Sequence, residues 1–197
     1  MNRALAAALL VLAACGDSDA ARTESESTAA APAPAAATAA PAPAAPAVTD
    51  PQIAAIVVAA NQVDIEAGQL AKERGTDPRV KEFAQLMITD HTGVNKAASE
   101  LVGRLGVTPE PNPTSEQLTR DGEKSRTTLQ GQSGAAFDRA YVANEVTYHQ
   151  AVLNAIDQTL IPGAQNAELK ALLEQTRPAV ASHLEHARGL QTSLGGA

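Results

Sequence analysis

Aromatic residues are nearly missing from this 197-residue chain, which has no Trp, two Phe and two Tyr. Sheet cores lean on aromatic and β-branched side chains, so an interior of Ala, Val, Leu and Ile points instead to close-packed helices. The expected class is all-α. Cysteine is reduced to Cys15, which excludes a disulfide framework. Runs of Lys or Arg are absent and the net charge is -7, so no surface offers itself to a phosphate backbone and nucleic acid is excluded as a partner. Also missing are a phosphate-cradling glycine loop, a serine nucleophile turn and any Glu-x-x-His pair. No residue is assigned a catalytic role, and a non-catalytic protein is expected.

The one cysteine has a context. "MNRALAAALLVLAAC" has a basic start at Arg3, an apolar run too short to span a bilayer, and small residues before Cys15, so residues 1–14 read as a secretory signal. "LAAC" is similar to a bacterial lipobox, which implies lipidation of Cys15 and cleavage before it. Several acyl chains make a stable anchor. Gly16 follows, without the acidic residue that tends to retain enterobacterial lipoproteins in the inner membrane, so the resemblance implies an outer-membrane anchor facing the periplasm. Residues 15–48 continue as a polar stretch and then "AAAPAPAAATAAPAPAAPA", where repeated proline blocks helix and sheet and leaves an extended tether.

From residue 49 to 197 the pattern becomes helical. Thr49 or Asp50 caps a first helix, with Pro51 in its first turn and Gly75 as its stop, and Asp77 with Pro78 opens a second that ends at Gly106. A short extra helix is expected over about 115–130. A third long helix opens at Ser133, and after the loop "LIPGAQN" a fourth carries Leu169, Leu172, Thr176, Ala179, His183, Ala187, Leu190 and Leu194, with a kink at Pro178. The long connection between helices two and three allows them to lie parallel through a crossover, a ferritin-like four-helix bundle; up-down topology is the alternative.

The inward stripes carry polar residues near the middle of each helix. His91, His149 and His183 come from helices two, three and four; Glu145 precedes His149 by one turn, and Glu66 flanks the seam of helix one. These five are expected to form one layer, with Asp64, Asp90, Glu185 and His186 as accessories. Neutral imidazoles and carboxylates converging from several helices are how bundle metal sites are built, and Zn, Fe, Cu or Mn would suit them. The same layer equally serves as a polar core that fixes helix register. Lack of Glu-x-x-His argues against di-iron oxygen chemistry.

The segments "VDIEAGQLAKERGTDPRVKEFAQLMITDHTGVNKAASEL", "SGAAFDRAYVANEVTYHQAVL" and "LKALLEQTRPAVASHLEHARGL" resemble the bacterial family called domain of unknown function 4142, over about residues 51–192. The resemblance implies a ferritin-like four-helix fold, an exported or outer-membrane protein and no established activity. Its shared positions fall on Glu66, His91, His149 and His183, while Tyr148 stands where relatives commonly carry an acidic residue. The expected role is an envelope-tethered lipoprotein that binds a metal ion or small ligand through the layer, in an envelope or stress setting. A structural or interaction module with an envelope protein partner comes second, and a metal-dependent oxidoreductase third. Nothing in the sequence sets the oligomeric state.

Overall fold

The computed structural model describes residues 48–195; the signal segment, Cys15 and nearly all of the tether lie outside them. Helix α1 spans Asp50–Arg74 behind a Thr49/Gln52 capping box, with Pro51 in the first turn. Helix α2 spans Pro78–Leu105, with the Asp77 side chain accepting from the Arg79 amide and Gly106 closing the end at φ 65°. Helix α3, Pro113–Gln130, starts earlier than expected because Asn112, not a later residue, caps it in a box with Ser115. Helix α4 spans Gly134–Ala155; Ser133 stands at its N-cap position without a side-chain cap bond.

The expected loop after α4 is mostly helical. A π segment, Ile156–Leu160, and a helical turn α5, Ile161–Gly163, continue the chain before α6, Ala167–Gly195, which Asn166 caps. The wider π turn, with the Ile161 amide on the Ile156 carbonyl, lets both Ile156 and Leu160 reach the core. In α6 the buried stripe is Leu169, Leu173, Val180, His183, Leu184, Ala187 and Leu190; Ala179 is exposed, contrary to the expected phase. The helix runs unbroken through Pro178, which sits on the exposed face.

Contacts at the helix ends settle the topology. The Glu110 amide donates to the Pro51 carbonyl, and the Gln165 and Asn166 amides donate to Asp50, so α1 and α6 begin at the end where α2 and α4 finish. At the opposite end Arg74 donates to the carbonyls of Gln130 and Gln132, and Asp138 accepts from Thr76 and Asp77. Helices α2 and α4 are therefore parallel, and α3 is the crossover, packed along α1. The architecture is all-α and ferritin-like, a four-helix bundle with a short extra helix in the second connection. Among the described residues no helix is long and apolar enough to cross a membrane.

Two apolar clusters fill the bundle. One, at the α1 C-terminal end, contains Phe83, Phe137 and Tyr141 together with Val80, Met87 and Leu190. The other, at the opposite end, is built from Ile53, Ile56, Val57, Leu101, Ile156, Leu160, Leu173 and Val180 and has no aromatic residue. Between them on each long helix lie the buried polar residues Asn61 and Asp64, His91, Glu145 and His149, and His183. A close approach of α3 to α1 depends on Gly122, where a Cβ would lie 2.6 Å from Val63 Cγ2 and 2.8 Å from Cγ1. Overpacking costs about 1–3 kcal/mol, and the better helix propensity of alanine returns about 1 kcal/mol. Gly122→Ala is therefore expected to lower the melting temperature by a few degrees, whereas in a Val63→Ala background the same change should raise it. Thermal melts of the four chains check the reversal of sign.

Candidate metal centre

Helical phase and the crossover decide which side chains meet. On α1, Asp64 faces the bundle interior at 1% exposure, one turn after Asn61, while Glu66 points the other way, toward α3. Glu66 accepts from Gln62 at 2.8 Å and pairs with Arg126 of α3. The expectation of Glu66 in the layer is thus corrected: the crossover helix covers that face of α1 and gives Glu66 a partner there, and Asp64 takes the inward place. Glu185 is exposed and pairs with Arg188, and His186 lies edge-on to Phe83 on the outer side of α6. His91, Glu145, His149 and His183 come together as expected.

The three imidazoles form a nearly equilateral group, with ring centroids 5.4, 5.5 and 5.6 Å apart. Each ring is held at one nitrogen by a group that can only accept. Asn61 donates its amide to the Val57 carbonyl at 2.8 Å, which turns its oxygen toward His91 Nδ1 at 2.7 Å. His149 Nδ1 faces the Glu145 backbone carbonyl at 3.1 Å, and His183 Nε2 faces Asp90 Oδ2 at 2.9 Å. An acceptor requires an N–H opposite it, so these contacts fix the tautomers. The remaining nitrogens, His91 Nε2, His149 Nε2 and His183 Nδ1, carry lone pairs, are buried and have no hydrogen-bond partner.

One ring nitrogen of each histidine lies within 4.8 Å of one from each of the others. Asp64 Oδ2 joins them, 2.7 Å from His91 Nε2 and 3.3 Å from His149 Nε2, in approaches whose directions do not satisfy a hydrogen bond. A proton on His91 would relieve one of these contacts and leave His149 Nε2 and His183 Nδ1 bare. A metal ion held here would take a lone pair from each histidine and from Asp64, and donors at about 2.0–2.1 Å from a tetrahedral ion lie roughly 3.3 Å apart. Anchoring the far nitrogen of each ligating histidine on a carbonyl or carboxylate is the usual support of such sites. Asp90 fills that supporting role for His183.

Without a metal ion, burial pulls the Asp64 carboxyl upward, but the charge of a protonated His91 and its N–H, with smaller contributions from His149 and Glu145, outweigh it and hold the group at about 2. Burial pushes Glu145 well above the ordinary carboxylate range, with the Asp64 charge adding to the effect. Burial also pushes His149 and His183 below the ordinary imidazole value, which favours the neutral, ligating form. A second group of potential donors, Asp64, Glu145 and His149, shares His149 with the histidine group.

On its other side the layer borders a cavity of about 330 Å³ that Asp64, His91 and His149 help to line. Its remaining walls are mostly apolar side chains of the aromatic-free cluster. Tyr148, half-buried beside His149, donates to the Ala60 carbonyl at 2.7 Å and forms part of the wall. Asn61, the cavity and the inward turn of Asp64 were not identified from the sequence. Asn61 lies one turn before Asp64 on the same seam, which is the signal available for it.

A family model described as "Domain of unknown function (DUF4142)" matches residues 33–190 of the chain. No curated protein and no solved structure matches it.

Proposed function

The chain belongs to the DUF4142 family, and from that premise we propose that it is a non-catalytic metal-binding protein of the bacterial envelope. It would hold one divalent transition-metal ion through Asp64, His91, His149 and His183. The observation that carries this reading is that three buried histidines each bring a ring nitrogen within 4.8 Å of the others, with the buried Asp64 carboxylate 2.7 Å from His91 and 3.3 Å from His149. A polar layer that served register alone would pair its own groups, because each unpaired buried polar atom costs about 1–3 kcal/mol. Three imidazoles with one carboxylate suit zinc, iron or copper better than magnesium or calcium. Di-iron chemistry of the carboxylate type lacks its Glu-x-x-His ligands here. The test is metal content by mass spectrometry on the full chain purified without an affinity tag. One ion per chain, lost when His91, His149 and His183 are changed to Ala, supports the reading; a metal-free chain that takes up no zinc, copper, iron or manganese removes it.

Placement in the envelope is part of the same proposal. "LAAC" supports lipidation at Cys15, and the Ala/Pro stretch supports a spacer between lipid and bundle. Cys15→Ala should move the protein from the membrane to the soluble fraction of the periplasm. Fractionation with labelling by a palmitate analogue checks it, and an unlabelled wild-type chain would count against the anchor.

A further inference from the structure

The cavity beside the histidine layer has a length and a wall that the metal reading leaves unused. It borders residues 56 to 67 on α1 and residues 144 to 156 on α4, so it runs along the bundle axis for roughly 16–18 Å at 1.5 Å per residue. Spread over that length, its volume of about 330 Å³ leaves a cross-section on the order of 20 Å², the width of one aliphatic chain. An apolar cavity of about 150 Å³ takes benzene, so this one takes about twice as many heavy atoms, on the order of a dozen. Aliphatic side chains line most of it, Ile56, Val57, Leu118, Val152, Leu160 and Leu173 among them, and small ones such as Ala60 and Ala155 stand where leucine would fill it.

The wall also selects the polar end of a ligand. Its titratable side chains are Asp64, His91, His149, Tyr148 and Asp121, and among the described residues no Lys or Arg lines it. The first three belong to the layer, Tyr148 donates to the Ala60 carbonyl, and Asp121 is exposed at an opening between α3 and α4. Thr147 is exposed at the same opening, and Ser125 donates to Asn144 at 2.6 Å across it. A carboxylate drawn in along this wall would lose water to aliphatic neighbours, whereas a hydroxyl left at the opening keeps both water and polar side chains in reach. We propose that the cavity binds an uncharged linear molecule of the medium-chain alcohol class, its chain along the aliphatic wall and its polar end at the opening between α3 and α4. This goes beyond the metal reading and does not depend on it.

The experiment is calorimetric titration of decanol into the full chain carrying Cys15→Ala, so that neither an acyl chain nor detergent competes. It is run zinc-free and after addition of zinc, with bound zinc counted separately by mass spectrometry. One decanol per chain is expected, with an affinity that zinc changes less than tenfold. Hexanol should bind at least tenfold more weakly, because each methylene moved from water to an apolar site is worth about fourfold, and decanoate at least tenfold more weakly than decanol. Ala155→Leu and Thr176→Leu add bulk to the wall away from the histidine layer, and each should weaken decanol at least tenfold. Two variants guard against one that misfolds. No saturable decanol binding, decanoate as tight as decanol, or unchanged decanol binding in both folded variants overturns the proposal. A tenfold or larger effect of bound zinc on decanol puts the polar end on the layer and overturns it too. A chain that takes up no zinc removes the metal reading alone, and its decanol titration still decides this one.

Discussion

Zinc added to the metal-free full chain is expected to raise its melting temperature by about 8–16 °C, and the chain with His91, His149 and His183 all changed to Ala is expected to show no rise. A ligand that binds only the native state stabilises it by about 4.1 kcal/mol when present at a thousand times its dissociation constant. A domain of this size gains roughly 2–4 °C per kcal/mol. The donors come from all four long helices, α1 through Asp64, α2 through His91, α4 through His149 and α6 through His183, so an ion held among them ties the α1–α2 and α4–α6 hairpins together. Unfolded chain offers the same histidines without convergence and takes little of the metal. A differential scan with and without zinc, repeated with the chelator added, reads the effect directly. If the histidines serve only helix register, the order reverses: the triple variant loses stability and zinc shifts neither chain.

How much of this was legible in the sequence depends on how many neighbours each helix has. Helix α2 packs one face inward, and its caps, its stop at Gly106 and the inward place of His91 were all readable from spacing. The four-helix class followed from composition and periodicity; the length of one connection allowed the crossover beside up-down topology, and the contacts at the helix ends decide for the crossover. Helix α1 was harder because it has two covered faces: Ile53 to Val57 are buried without a break, and α3 lies along the side that would otherwise meet water. A helix covered on two sides loses the one-sided periodicity that tells inside from outside. Asp64 and Glu66, two residues apart and both beside the seam, could therefore not be told apart, and Arg126 on α3, the partner that draws Glu66 outward, was the missing fact. The cavity had no sequence signal at all. It is bounded mostly by aliphatic side chains of the second cluster and is a property of packing and not of pattern.

Two buried aspartates separate what holds the fold from what forms the site. Asp138, at 2% exposure, accepts from the Thr76 amide at 2.9 Å, from the Asp77 amide at 2.9 Å and from the Thr76 hydroxyl. It fastens the turn between α1 and α2 to the start of α4, the point where the crossover returns. Asp64, at 1% exposure, has no backbone or hydroxyl donor and faces His91, His149 and Glu145 instead. Hydrogen bonds to a charged group are each worth about 1.5–3 kcal/mol, and water replaces part of the loss at this half-open turn. Asp138→Ala should therefore cost about 3 kcal/mol and lower the melting temperature by roughly 6–12 °C. Because Asp138 lies seven residues before Glu145, about 10 Å along α4, the variant should still hold one zinc per chain below its melting point. Asp64→Asn should do the opposite, weakening zinc by at least about 100-fold, beyond the 10–100-fold typical of losing a supporting partner. Melting curves and zinc titrations on the two variants decide it: loss of zinc in Asp138→Ala while it remains helical, or full zinc affinity in Asp64→Asn, would show that Asp64 is not a ligand or that the layer is not independent of the bundle's end.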